Sequence, residues 1–266
     1  MTNIVVLIKQ VPDTWSERKL SDGDYTLDRE AADAVLDEIN ERAVEAALLI
    51  KEKEQAEGGE GKVVVLTLGP ERAGEAIRKA LSMGADEAVH VLDDRVAGSD
   101  MVQTAWVLAH AIGQVEPPAD LVITGNQATD GTGGTVPAII AQNLGVPQLT
   151  HMREFTVDGG KTTGLRETDE GQQTLEATLP AVVSVHEKIN EPRFPSFKGI
   201  MAAKKKEVRT LTLDDIGVGA DDVGLANANS KVFSAAPRPA KSAGEKVSDE
   251  GDGGTKIAEY LVAQKI

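Results

Sequence analysis

KVVVLTLGPERAGEAIRKALSMGADEAVHVLD, Lys62 to Asp93, contains a strand, a helix and a second strand in one line. KVVVLTLG (Lys62–Gly69) is a near-continuous apolar run, the pattern of a strand buried on both faces rather than on one. EAVHVLD (Glu87–Asp93) repeats it. Between them PERAGEAIRKALSMGAD (Pro70–Asp86) opens with a proline suited to a first helical turn and stops at Gly84. Two strands joined by a helix of this length imply a βαβ unit, hence a parallel sheet. Right-handed crossovers then place helices on both faces of that sheet.

The same alternation extends outward. Upstream, NIVVLIK (Asn3–Lys9) reads as the first buried strand. A helical pattern follows from about Arg29 to Glu54, with Asn40 expected to cap its second part and Val44, Ala47 and Leu48 on the buried face. Downstream, Asp100–Ile112 reads as a helix, DLVITG (Asp120–Gly125) as a fourth strand and Val136–Leu144 as a helix. VPQLT then leads into a fifth strand. After His151 the pattern changes. REFTVDGGKTTGLRETDEGQQTLEATLPAVVSV reads as short strands around turns at Gly159-Gly160 and Asp169-Glu170-Gly171, an antiparallel meander. The expected fold is α/β: a Rossmann-like, mostly parallel five-stranded sheet with an antiparallel meander and an extended C-terminal arm ending in a short helix. Residues 1–217 would form the nucleotide-binding domain, including a loop at 190–206. Residues 218–255 are rich in Ala, Gly, Ser, Asp and Pro and cannot bury enough surface to fold alone. The 218–266 segment therefore reads as an arm whose final stretch, KIAEYLVAQKI, is an amphipathic helix docking on a partner, or else as a disordered tail.

Composition sets bounds. The chain has 266 residues, 41% hydrophobic but only 3% aromatic, so the core is built from Ala, Val, Leu and Ile. It has no cysteine, which excludes disulfides, zinc–thiolate sites, iron–sulfur clusters and thiol catalysis. A net charge of −15 argues against binding to nucleic-acid backbones. No apolar run approaches the roughly 20 residues of a membrane span. MTNIVVLIKQVPD lacks the marks of a signal peptide, and a cytoplasmic location is expected.

No catalytic constellation is visible. His90, His110, His151 and His186 show no metal-ligand spacing, and there is no Walker A loop, GxGxxG fingerprint or nucleophile elbow. The phosphate-site candidate is GNQATDGTGGTVP (Gly125–Pro137), which follows a strand and precedes a helix. Ligands bind at the carboxyl ends of strands in open α/β sheets. Gly131, Gly133 and Gly134 let backbone N–H groups face an anion, Thr132 and Thr135 add hydroxyls, and the helix N-terminus adds partial positive charge. A flexible βα loop is the plainer alternative. NEPRFPSFKGIMAAKKK (Asn190–Lys206) holds two of the four Phe residues. Phe194 and Phe197 either fold back on their own domain or meet a partner, and composition leaves the two readings open.

These blocks together identify a resemblance. VLIKQVPD, INERAVEAAL, LTLGPERAGEAIRKALSMGAD, GNQATDGTGG, LPAVVSV and above all NEPRFPSFKGIMAAKKK closely resemble the β subunit of electron-transfer flavoproteins, of actinobacterial type, over essentially the whole chain. The resemblance implies a non-catalytic electron-carrier subunit paired with a homologous α subunit. The shared FAD would be held mainly by α and a structural AMP by β. Electrons would come from flavoprotein dehydrogenases, acyl-CoA dehydrogenases among them, and leave to a membrane quinone oxidoreductase. The family's AMP contacts carry over to Leu7, to Asp37, Glu38, Ile39 and Asn40, to Leu68, and to Gly125, Asn126, Gln127, Ala128, Thr129, Asp130, Gly131, Thr132, Gly133, Gly134, Thr135 and Val136. Here the loop departs from the common form, whose middle is more polar. Electron-bifurcating members, with a second FAD in place of AMP, typically read DGDTAQVGP where this chain has DGTGGTVP (Asp130–Pro137). AMP is therefore the expected ligand. The family's dehydrogenase-recognition loop maps onto Phe194, Phe197, Lys198, Ile200, Met201, Lys204, Lys205 and Lys206. Phe197 stands at the anchor position and Phe194 is expected to hold the loop down. Val11–Trp15 is expected near the flavin. The runner-up reading is an adenine-nucleotide sensor of the universal-stress type, which would need neither the 190–206 loop nor the arm.

Overall fold

The computed structural model describes residues 2–241, 244 and 246–264. The remaining residues of the arm and the last two residues of KIAEYLVAQKI lie outside the described residues. Two units are distinguished, Met1–Phe233 and Ser234–Ile266.

The first unit is an α/β fold of the expected class. β1 (Ile4–Leu7), β4 (Val63–Leu68), β5 (Glu87–Val91) and β6 (Leu121–Gly125) are the four buried runs read from the sequence. Between β1 and β4 lie β2 (Gln10–Pro12), β3 (Ala34–Leu36) and helix α1 (Glu38–Ala56). Helices α2 (Gly74–Met83), α3 (Met101–Ile112) and α4 (Val136–Leu144) make the other crossovers. β7 (Gln148–Asp158), β8 (Lys161–Thr168), β9 (Gly171–Thr178), β10 (Ala181–Val185), helix α5 (Phe197–Ala203) and β11 (Val208–Leu211) complete the unit. The second unit contains helix α6 (Gly253–Ala263), on which Ile257, Tyr260 and Val262 are exposed.

The sheet is wider than five strands. Its order is β11-β5-β4-β1-β6-β10-β7-β8-β9, and every neighbour pair from β11 to β7 is parallel. β10, expected in the meander, instead lies between β6 and β7, parallel to both. The reason is burial: all five residues of AVVSV are buried, so the strand needs cover on both faces. The true meander is β7-β8-β9. Its first turn, Gly159-Gly160, has φ of 54° and 76°, the left-handed pair that a two-residue hairpin requires.

Strand residues alternate between two cores. Ile4, Val6, Val63, Val65 and Ile123 meet α1 and α2 residues such as Val44, Leu48 and Ile77. Val5, Leu7, Val64, Leu66 and Val122 meet α3 and α4 residues such as Leu108 and Ile140. Each fully buried Val, Leu or Ile contributes about 1.5–3 kcal/mol. Val218 and Val223 belong to the second core, so this unit continues past residue 217.

The helix read from Arg29 begins instead at Glu38. The preceding backbone is used in a short antiparallel ladder, where Ala34–Leu36 pairs with Gln10–Pro12. Asn40 is not a cap. Asp37 is, with its carboxylate accepting from the Ile39 and Asn40 N–H groups. α3 starts at a capping box, in which Asp100 and Gln103 exchange hydrogen bonds.

Candidate functional site

β1 is the point where the strand order turns back on itself, since β4 lies on one side and β6 on the other. Open α/β sheets bind ligands at such switch points, outside the carboxyl ends of the strands. A cavity of about 330 Å³ opens there. Its walls are Leu7, Ile8 and Lys9 after β1, Leu68 after β4, Thr124 and Gly125 at the end of β6, and Asn40 of α1. Asn126, Gln127, Ala128, Gly131, Thr132, Gly133 and Gly134 of the following loop and Val136 and Pro137 of α4 complete it, with the cap residue Asp100 and Met101 and Thr104 of α3. A broader trough of about 900 Å³ involves Thr2, Gly59 and Asp120, beside the amino ends of the strands, away from the switch point.

Two side chains brace the cavity wall. The Asp37 carboxylate is fully buried and takes four hydrogen bonds. Oδ1 accepts from the N–H of Ile39 (2.9 Å) and Asn40 (3.2 Å), and Oδ2 from the Thr129 N–H (2.7 Å) and hydroxyl (2.8 Å). It thereby ties the loop after β6 to the start of α1. Asn40 Oδ1 accepts from the Lys9 N–H at 2.7 Å. Its amide packs so close to Gly125 that a Cβ there would lie 2.6 Å from Asn40 Nδ2. Gly125 is thus required by the approach of α1.

The loop itself is held from outside. Asp130 pairs with Lys9 Nζ (2.8 Å) and Arg29 Nη2 (2.9 Å). Burial pushes the Asp130 carboxyl up, but the charges of Lys9 and Arg29 outweigh it and hold the group below its ordinary value. Arg18 Nη1 donates to the Thr129 carbonyl at 2.6 Å. The Thr135 hydroxyl donates to Met101 Sδ at 2.8 Å. Thr132 carries a positive φ of 48°, and Gly134 one of 64°.

What remains open suits an anion with a polar base. Among the described residues no acceptor takes the N–H of Gly133, Gly134 or Thr135, at the start of α4. A Cβ at Gly131 would meet nothing within 4 Å, and one at Gly133 only Met101 Cε at 3.7 Å. Asn126 is buried, and among the described residues its Oδ1 has no partner. Its Nδ2 lies 3.4 Å from Nδ1 of His151, whose titration burial holds below the ordinary histidine range. Glycine N–H groups, a helix N-terminus and an unmatched amide oxygen together offer donors suited to an anion and one acceptor beside them.

Of the site residues read from the sequence, Leu7, Asn40, Leu68, Gly125–Ala128, Gly131–Gly134 and Val136 line this cavity. Asp37, Ile39, Thr129 and Asp130 stand behind the wall and shape it, Thr135 is exposed beside it with its N–H open, and Glu38 is exposed on α1. Sequence reasoning missed Lys9, Arg29, His151 and the α3 start. Asp100 carried a signal, since Asp followed three residues later by Gln is a cap pattern.

A second face lies on α5. Ser196 caps it, its hydroxyl accepting the Gly199 N–H at 3.0 Å. Phe197, Ile200 and Met201 occupy one face by their i, i+3, i+4 spacing, and are 81%, 45% and 46% exposed. Phe194 is 95% exposed, so it does not hold the loop down. Arg193 does. It forms ion pairs with Glu45 (2.8 Å) and Glu52 (2.5 Å) on α1. The two carboxylates raise the Arg193 guanidinium further above its ordinary value, and Glu52 is held low in return. Lys206 turns inward, donating to the carbonyls of Leu81 (3.1 Å) and Ala85 (2.5 Å), whereas Lys198, Lys204 and Lys205 are exposed. Trp15 is 96% exposed.

Among the described residues no group of three or more His, Asp or Glu is placed to hold a metal, and no helix is long and apolar enough to cross a membrane. The model of the electron transfer flavoprotein domain family matches residues 24–216. The chain is 73% identical over 266 residues, all of both chains, to the electron transfer flavoprotein subunit beta of Mycobacterium tuberculosis, and equally so to that of Mycobacterium leprae. It is 34% identical to the caffeyl-CoA reductase-Etf complex subunit CarD of Acetobacterium woodii, over 98% of this chain and 97% of that one.

Proposed function

This chain belongs to the electron transfer flavoprotein family as a β subunit, and on that premise we propose that it holds an AMP at the β1/β6 switch point and presents α5 to partner dehydrogenases. As a β subunit it is half of a heterodimeric electron carrier, which removes the stress-protein reading. The observation that carries the AMP assignment is the cavity: about 330 Å³, near the low end for small-molecule sites, with free N–H groups at Gly133–Thr135. A mononucleotide is of a size to fill that cavity. Gly131–Thr135 would bind the phosphate, Leu7 and Leu68 would cover the base, and the Asn126 amide would take a ligand N–H or hydroxyl. Asp37 and Asn40 would fix the cradle without touching the ligand's charge.

The family's shared FAD would supply one- and two-electron redox chemistry from the α side. This chain would bind, orient and exclude water around it, with Trp15 extending toward α. Phe197 would anchor acyl-CoA dehydrogenases, with the apolar face of α5 as contact area and Lys198, Lys204 and Lys205 as its charged rim. A membrane quinone oxidoreductase would take the electrons on, and a cytoplasmic setting fits that route. The test is coexpression with the α subunit. A yellow heterodimer, reduced by an acyl-CoA dehydrogenase with its substrate and reoxidised by the quinone oxidoreductase, is expected. A yellow heterodimer that no acyl-CoA dehydrogenase reduces would overturn the partner assignment.

A further inference from the structure

Resting on the reading of Phe197 as the partner anchor, we infer that Arg193 is a positioning residue for partner recognition, fastening the loop to α1 so that α5 is presented already in its docking geometry. Arg193 approaches Glu45 three times: its backbone N–H at 3.1 Å, Nε at 2.8 Å and Nη2 at 3.0 Å. The same guanidinium reaches Glu52 through Nη1 at 2.5 Å and Nη2 at 3.0 Å. Glu45 and Glu52 are seven residues apart, two turns along one face of α1. Glu45 is 5% exposed, so its carboxylate is shielded, while Arg193 and Glu52 remain partly open to solvent. The planar guanidinium places five donors in a fixed fork that serves both carboxylates along set directions, a geometry that an ammonium's single nitrogen does not reproduce.

The other end of the segment is fixed on a different helix. A Cβ at Gly199 would lie 2.4 Å from the Ser82 carbonyl oxygen, so α5 sits directly on the end of α2. Arg78 Nη1 donates to the Ala203 carbonyl at 2.8 Å. Pro192 and Pro195 restrict the backbone on either side of Arg193. Between these two fixtures the chain turns Phe194 and Phe197 outward. A segment this exposed and this apolar would ordinarily fold back or fluctuate, and ordering it on binding would cost affinity. The clamp removes that cost beforehand. It acts on encounter and leaves the electron-transfer step alone.

The test uses the intact heterodimer and the acyl-CoA dehydrogenase that reduces the wild type. Arg193→Met should raise KM for the carrier on the order of tenfold, with kcat and FAD content unchanged. It also strands the buried Glu45 carboxylate and so lowers stability. The double variant Arg193→Met/Glu45→Gln relieves that stranded charge and should recover stability while KM stays raised. Arg193→Lys should recover little. A wild-type KM in Arg193→Met, or recovery of KM together with stability in the double variant, would overturn the inference. Phe197→Ala tells the two levels apart. An unchanged KM there would overturn the recognition reading and this inference with it. A raised KM in Phe197→Ala alone would overturn only the role of Arg193.

Discussion

Four donors converge on the Asp37 carboxylate, and none of them is a ligand. A capping bond contributes about 1 kcal/mol and a buried unmatched donor costs about 1–3 kcal/mol. Asp37→Ala is therefore expected to destabilise the protein by about 2–4 kcal/mol, read from the denaturant midpoint, and to lose bound nucleotide as Thr129 comes free. Asp130 gives a pH signature. Its folded-state titration lies below the ordinary value because Lys9 and Arg29 outweigh burial. Its contribution is thus complete above the unfolded carboxylate value, about 4, and is lost as pH falls below that. Asp130→Asn should flatten the acid limb of a stability–pH profile, and an unchanged limb would refute the pairing. The family resemblance placed Asp37 and Asp130 in the nucleotide stretch. Their partners Thr129, Lys9 and Arg29 are 92, 121 and about a hundred residues away, and nothing local in a sequence reports such pairs.

At the scale of elements, the βαβ alternation was legible because buried strands and amphipathic helices differ in period. The start of α1 was misread because acidic and Ala-rich residues before Asp37 keep a helical look, while the chain uses them to pair with Gln10–Pro12. The place of β10 had a signal: AVVSV is continuous like IVVL of β1, whereas REFTVD of β7 alternates. The docking of α5 on α2 had none. It depends on Gly199, where an added methyl would press on the Ser82 carbonyl. Gly199→Ala should cost about 1–3 kcal/mol in overpacking strain and speed amide exchange across Phe197–Ala203. Wild-type exchange there would show that α5 accommodates the methyl without leaving its seat.

For the whole molecule, a chain of net charge −15 with 3% aromatic residues exposes Phe194, Phe197, Ile200 and Met201 together in and beside α5. The cavity proposed to hold the nucleotide lies at the β1/β6 switch point. A ligand bound only by the folded state stabilises it by about 2.7 kcal/mol at a hundredfold excess over Kd. Stripping AMP from the heterodimer should therefore lower its Tm, and adding AMP back should restore it. The most direct measurement is the nucleotide released when the purified heterodimer is denatured, identified and counted by mass spectrometry. One AMP and one FAD per heterodimer are expected; two FAD and no AMP would contradict the assignment of the β1/β6 cavity.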